Sequence, residues 1–97
     1  MQITFDLQKD HINTEKHGVS LALAEQLEWD NLIAIEDNRQ DYGETRMIGF
    51  APIVDRVYCV VYVDRNYQRR IISLRKANQR EVTRYAIYID ASIPPAR

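Results

Sequence analysis

RIISLRKANQREVTRY, residues 70–85, combines the pattern of a β-strand with the start of an amphipathic helix, and this combination decides the fold. Side chains alternate between the two faces of a strand, which predicts Arg70 and Leu74 on one face of residues 70–75 and Arg75 on the other. A polar face beside an apolar one is typical of a strand that covers a core on one side and meets solvent or a ligand on the other.

The same stretch predicts where the last helix begins. Asn78 is a typical helix N-cap, and Glu81, three residues later, completes a variant of the capping box. Arg80 and Arg84 lie off the apolar face of this helix, where they either meet solvent or bind a ligand. The residues that recur with helical spacing and predict the buried face are Val82, Tyr85, Ala86 and Ile89.

The remaining elements predict an α+β fold. Asp6 and Ser20 are typical N-caps for two N-terminal helices, and Gly18 ends the first of them. Short connections between the later strands favour antiparallel pairing. The helices are predicted to pack on one face of a curved sheet, and the polar residues 36–44 are predicted to form a loop. The predicted order is a strand at 3–5, helices at 7–17 and 21–29, strands at 32–35, 45–51, 57–63 and 69–74, and a helix at 79–89.

Size and composition predict one small domain with a modest core. The chain has 97 residues, of which 45% are hydrophobic and 28% charged. Residues 1–90 are assigned to the domain and residues 91–97 to a loose tail, because two consecutive prolines cannot continue a helix. The sequence shows neither the pattern of a secretory signal nor an apolar run of membrane-spanning length. Cys59, the only cysteine, is predicted to be a buried and inert thiol, which fits a cytoplasmic protein.

Charge is distributed unevenly along the chain. Residues 1–55 contain four Lys and Arg against eleven Asp and Glu, whereas residues 56–84 contain eight against two. A basic segment of this kind favours an anionic ligand or partner. Mutual neutralisation of the two halves within the fold is the alternative.

Five short motifs occur in an order and spacing similar to those of a known family. They are Lys16-His17-Gly18-Val19-Ser20, Glu44-x-Arg46 before Ile48-Gly49, Val60-Val61-Tyr62-Val63-x-Arg65, Arg70-Ile71-Ile72-Ser73-x-Arg75-x-Ala77, and Arg80-Glu81 with Tyr85. Together they resemble the BrnT family of bacterial toxins over about residues 5–85. The resemblance implies a RelE-like ribonuclease fold, with two N-terminal helices and a C-terminal helix packed on a curved antiparallel sheet.

The resemblance also implies an activity and partners. It implies the toxin of a type II toxin–antitoxin pair, a small endoribonuclease that arrests growth by cutting RNA without a metal or other cofactor. The implied partner is a BrnA-type antitoxin, a DNA-binding protein that blocks the active site and represses the operon. DNA is then contacted only indirectly, through the toxin–antitoxin complex, and no membrane is involved.

Metal-independent RNA cleavage requires a base for the 2′-OH, cations for the charged phosphorane and an acid for the leaving oxygen. Arginine suits the second task, because its planar fork of donors matches phosphate oxygens. Arg46 and Arg75 are predicted to meet on one sheet face and to stabilise the transition state. The alternative is that these arginines form ion pairs with acidic neighbours: Glu44, Asp64 or Glu81.

His17 and Glu44 are the titratable candidates for proton transfer in the matched segments. His17 has an alternative role as an imidazolium that stabilises the end of the first helix, and Glu44 as the partner of an arginine. The remaining candidates are predicted to bind RNA: Arg65, Arg70, Lys16, Tyr62 and Arg80. For Tyr62 a place in the core is the alternative to stacking on a base, and for Lys16 a solvated helix end is the alternative to binding phosphate. A zinc site is not expected, because no Cys pair or HExxH motif is present.

A second class of function remains open. The same basic surface suits a catalytically inactive module that only holds its antitoxin. Direct DNA binding is disfavoured, since no helix-turn-helix or ribbon signature is present.

Overall fold

The structure is a computed structural model that describes residues 1–92, and the predicted loose tail beyond them, residues 93–97, lies outside the described residues. The last helix continues to Ser92, past the predicted domain boundary at residue 90. The strands and α-helices in chain order are β1 (Gln2–Thr4), α1 (Leu7–His17), β2 (Ile33–Glu36), β3 (Met47–Ile53), β4 (Arg56–Arg65), β5 (Gln68–Lys76) and α2 (Gln79–Ser92). No helix in the described range is long and apolar enough to cross a membrane.

The five strands form one sheet in the order β1-β5-β4-β3-β2. β4 lies in the middle and pairs antiparallel with β3 and β5, which confirms the central strand predicted for residues 57–63. β1 pairs with β5 in parallel, so the prediction of an all-antiparallel sheet is wrong at this edge. Short connections enforce antiparallel pairing only between the later strands, whereas β1 and β5 are separated by most of the chain.

β3 continues through Pro52 to Ile53, past the end predicted for it at Ala51. The carbonyl of Pro52 accepts the N–H of Glu28 at 2.9 Å, on the side away from β4. The proline nitrogen points to that same side, where no ladder hydrogen bond is required, and the strand therefore tolerates it.

A β-bulge interrupts the alternation of β5. Tyr62 pairs with Ile71, but its neighbour Val61 pairs with Ser73, so Ile72 is an extra residue. As a result Ile71 and Leu74 both face the core, and both are fully buried. The prediction that Arg70 and Leu74 share a face is therefore wrong, because the bulge reverses the alternation between them.

The segment predicted as a second α-helix forms two 3₁₀ helices, Leu21–Gln26 and Trp29–Asn31. Ser20 caps the first as predicted, since its hydroxyl oxygen accepts the N–H of Ala22 at 3.1 Å. The helix type differs because the buried side chains recur every third residue, the period of a 3₁₀ helix. They are Leu21, Ala24 and Leu27.

α1 has the predicted bounds and caps. Asp6 accepts two backbone N–H groups at its start, and Gly18 ends it in the left-handed conformation at φ 74°. The buried side chain of Asn13 covers the edge of β5 beyond β1. It donates to the carbonyl of Leu74 at 2.8 Å and accepts its N–H at 3.1 Å, as a neighbouring strand would.

α2 begins with the predicted capping box. The prediction that Val82, Tyr85, Ala86 and Ile89 form its buried face is wrong, because Ala86 is exposed and the other three are only half-buried.

Glu81 of α2 binds Arg75 of β5, and the Tyr85 hydroxyl of the same helix donates to the carbonyl of Asn31 beside β2 at 2.7 Å. Arg75 follows Leu74, so it belongs to the face turned away from the core. α1 therefore meets the edge of β5, and α2 meets a side chain on the face turned away from the core, so the prediction that the helices pack together on one face of the sheet is wrong. We call the face turned away from the core the outer face; its apolar residues are Ile33, Ile35, Ile48, Phe50, Cys59, Val61 and Val63.

Candidate active site

The outer face carries the four arginines that the sequence predicts as ligands of phosphate. Arg70 pairs in register with Val63, and Arg75 pairs with Cys59. The other two arginines are assigned to the outer face by strand alternation, because each is the sequence neighbour of a residue whose side chain lies on the core side. They are Arg46, before Met47 of β3, and Arg65, after Asp64 of β4.

These arginines occupy the two ends of the outer face. Arg75 lies in the row of Cys59 and Phe50, near the start of α2. Arg46 lies four residues further along the strands and two strands away, about 17 Å between backbone positions on ideal sheet spacings. Strand alternation thus assigns Arg46 and Arg75 to one face but to separate ends of it, and their predicted meeting there is not observed. Arg70 belongs to the end that holds Arg46.

Arg75 forms a two-pronged ion pair with Glu81, one of the alternatives that the sequence left open. The Nη1 and Nη2 groups donate to the two carboxylate oxygens at 2.7 and 2.8 Å. Nη1 also donates to the carbonyl of Lys76 at 3.3 Å. The hydrogen bonds to the carboxylate raise the pKa of Arg75, and those from the guanidinium lower the pKa of Glu81.

His17 lies half-buried at the end of α1, within the electrostatic reach of Arg75. Burial lowers the pKa of His17, and the positive charges of Lys16 and Arg75 lower it further. These influences favour the neutral imidazole, the form that accepts a proton. They disfavour the alternative role as a helix-capping imidazolium. Gly18 caps that helix end instead, because its N–H donates to the carbonyl of Thr14 at 2.8 Å.

Arg46 belongs to a network in the loop between β2 and β3. The buried carboxylate of Asp37 accepts two hydrogen bonds from Arg39 at 2.8 Å and one from the Tyr42 hydroxyl at 3.1 Å. The hydrogen bond from the Arg39 side chain is the main reason that the pKa of Asp37 lies far below its usual range. The Arg46 guanidinium carbon stands 4.1 Å from the centroid of the Tyr42 ring. Its Nε is buried and has no hydrogen-bond partner within residues 1–92.

Glu44 is exposed in the same loop and forms no ion pair with Arg46 among the described residues. Its assignment as a base stays a prediction, and the alternative as partner of the arginine is not observed. Lys16 and Arg80 are also exposed, at the end of α1 and in the first turn of α2. Both lie near the strand end that carries Arg75.

Tyr62 has the core position that the sequence left open as its alternative. Its side chain is on the core face and only 3% exposed, which leaves no room for stacking on a base. Arg69 covers it, with the guanidinium carbon 4.5 Å from the Tyr62 ring and 4.6 Å from that of Trp29. Asp64 fixes this arginine through two hydrogen bonds of 2.7 and 2.8 Å.

Cys59 is buried as predicted, on the outer face beside Arg75. Burial raises its pKa to about 11, so the thiolate required of a nucleophile is disfavoured. Sequence analysis missed Asp37, Arg39 and Tyr42. Their signal was weak, since a polar segment with a glycine is typical of any loop.

The fold and the arginines of the outer face define a small α+β domain that carries several cationic side chains on one face of its sheet. The family described as "Ribonuclease toxin, BrnT, of type II toxin-antitoxin system" matches residues 5–81. This chain belongs to that family. A solved structure, the ribonuclease toxin BrnT of Brucella abortus, has a similar fold, with a TM-score of 0.64 at 20% identity over 81% of this chain and 99% of that one. No curated protein matches the sequence.

Proposed function

We propose that this protein is an endoribonuclease toxin that cleaves RNA on its outer face without a metal ion. The observation that carries the proposal is the common face assigned to the four candidate arginines, which lie on β4, on β5 and directly before β3. Such a surface suits a polyanion, because successive phosphates need several cations in a fixed arrangement. Family membership supports ribonuclease activity as the use of this surface.

His17 and Arg75 are assigned to the chemical step. His17, held neutral by its surroundings, takes the proton of the 2′-OH, and the 2′-oxygen attacks the adjacent phosphorus. Arg75 stabilises the additional negative charge of the phosphorane. The bond to the 5′-oxygen breaks, this oxygen takes a proton from water, and a 2′,3′-cyclic phosphate remains. The hydroxide formed takes up the proton from the His17 imidazolium, which restores the base. Glu44 is the second candidate for proton transfer.

The other arginines are assigned to binding. Arg46, Arg65 and Arg70 hold phosphates on one side of the cleaved bond, and Lys16 and Arg80 contact the chain near Arg75. Arg65 and Arg70 are exposed and, within the described range, are not engaged in an ion pair. Their charges are therefore available to an incoming phosphate.

The proposal extends to the cellular role. The protein acts as a growth-arresting toxin of RelE-like fold in the cytoplasm, and a BrnA-type antitoxin neutralises it by covering the outer face. The antitoxin binds DNA, and the toxin joins it in repressing the operon. The intermediate exposure of Ile48 and Phe50 beside the arginines supports a protein partner on the same surface.

A catalytically inactive antitoxin-binding module is the second candidate. One observation favours it: Glu81 already occupies Arg75, and Arg46 stands at the other end of the face. A surface of this kind binds an acidic segment without requiring any arginine at a scissile phosphate.

An RNA cleavage assay in the presence of a chelator distinguishes the two. The wild type is expected to yield fragments ending in 2′,3′-cyclic phosphate, and Arg75→Ala is expected to lose this activity while it retains antitoxin binding. Arg56→Ala is the matched control, because Arg56 stands only three residues before Cys59 but belongs to the core-facing side of β4 rather than to the outer face. Cleavage that survives in Arg75→Ala contradicts the assignment. Intact RNA with the wild type, both alone and with translating ribosomes, favours the binding module.

A further inference from the structure

The ion pair of Arg75 leaves part of its guanidinium unused. A guanidinium has five N–H donors in one plane. Three of them are engaged, two with Glu81 and one with the carbonyl of Lys76. The two that remain are the Nε hydrogen and the second Nη2 hydrogen, which lie side by side on one edge of the plane. That edge matches two oxygens of a phosphate.

Glu81 is itself held at two points. Its Oε1 accepts the N–H of Asn78 at 2.9 Å, and its own N–H donates to the side-chain oxygen of Asn78 at 2.9 Å. This reciprocal pair fixes the carboxylate to the first turn of α2. The helix is tied in turn to the second 3₁₀ helix by the bond from Tyr85 to the carbonyl of Asn31. The carboxylate is therefore a rigid support for the arginine.

The position of the Glu81 carboxylate determines whether it supports Arg75 or blocks the binding of a phosphate to it. Glu81 binds the outer end of the guanidinium, through Nη1 and Nη2. A phosphate on the Nε edge approaches from a different side and does not have to displace it. A carboxylate that blocked the site would occupy the Nε edge instead.

We infer that Glu81 is the positioning residue of Arg75, which it holds by the outer end so that the Nε edge receives a phosphate of the RNA. The inference rests on the proposed function and deepens it. Without the carboxylate the long arginine side chain samples several rotamers, and fewer of them present this edge to the phosphate.

Glu81→Gln is the informative variant, because glutamine keeps the volume and the capping interaction but replaces the two-pronged carboxylate. We expect kcat to fall about tenfold or more with KM changed less than about threefold, as for a group that acts in the transition state. Asn78→Ala is the matched control. It removes the acceptor of the Glu81 N–H but keeps the main-chain N–H of residue 78 that binds Oε1, and so leaves the carboxylate on Arg75. It is expected to lower the melting temperature while reducing kcat less than about threefold.

The Nε–H resonance of Arg75 in a ¹H–¹⁵N NMR spectrum, assigned by its loss in Arg75→Lys, gives a readout that does not depend on cleavage. We expect it to shift when a non-cleavable 2′-O-methyl oligoribonucleotide is added to the wild type, and to shift at least about twofold less in Glu81→Gln. Equal loss of kcat in Glu81→Gln and Asn78→Ala, or an increase in Glu81→Gln, overturns the inference. An Arg75 resonance that does not respond while those of other arginines do also overturns it. A wild type that cleaves no RNA refutes the proposed function, and the NMR titration still decides the role of Glu81.

Discussion

Replacing Asn13 by alanine tests how the edge of β5 is held next to the candidate site. The side chain is 5% exposed and makes both hydrogen bonds of the Leu74 backbone on that side, at 2.8 and 3.1 Å. A third bond, to the carbonyl of Val19 at 2.9 Å, is partly replaceable, because the Thr14 hydroxyl also donates there. Two buried bonds at about 1–1.5 kcal/mol each predict a loss of about 2–3 kcal/mol in the free energy of unfolding.

Urea unfolding followed by circular dichroism measures this loss, provided that the slope of the transition is unchanged. Asn31→Ala is the matched control, since the Asn31 side chain is exposed and, among residues 1–92, bonds only Glu28, at 3.0 Å. It is expected to change the free energy of unfolding by no more than about 0.5 kcal/mol. A loss below about 0.5 kcal/mol in Asn13→Ala would refute the reasoning, because it would mean that water or the neighbouring chain satisfies the Leu74 backbone equally well.

Three further predictions concern the core, the loop and the base. Leu74→Ala is expected to cost about 2–5 kcal/mol of unfolding free energy, against about 0.5 kcal/mol or less for the exposed Ile35→Ala; similar losses in both would contradict the assigned core. Because the pKa of Asp37 is lowered in the folded state, its ionised carboxylate stabilises the fold at pH values above the ordinary carboxyl pKa, and this stabilisation is lost as pH falls through the lowered pKa. The difference in unfolding free energy between wild type and Asp37→Asn should therefore shrink in acid. A difference that does not depend on pH would argue against this role of Asp37. The lowered pKa of His17 keeps the base neutral, so cleavage should rise with pH along a limb that lies below pH 6.5; a limb above that value would contradict the assignment.

Local signals in the sequence were sufficient for the caps and for the type of most elements. Asp6, Gly18 and the pair Asn78–Glu81 act within a single helical turn, so neighbouring residues alone determine their geometry. The same holds for β4, whose unbroken apolar run requires burial on both sides.

Features that depend on contacts between residues far apart in the sequence could not be predicted from local signals. Ile72 looks like any other strand residue, and the bulge arises only from pairing with β4. The parallel partner of β1 and the strand-like role of Asn13 likewise depend on residues about sixty positions away. The same division applies to the candidate site. Residue types indicated which arginines are candidates for binding phosphate, whereas the distance between them across the sheet follows from the pairing of the strands.

The bulge also has a consequence for comparing this strand between relatives. It acts as a phase shift: before Ile72 the even positions of β5 face outward, and after it the odd positions do. Arg70 and Arg75 therefore point the same way although they are five positions apart. Loss or gain of one residue between Ile71 and Leu74 would restore the ordinary parity and turn one of the two arginines inward. The length of this short segment, more than its composition, therefore determines which side chains the strand presents.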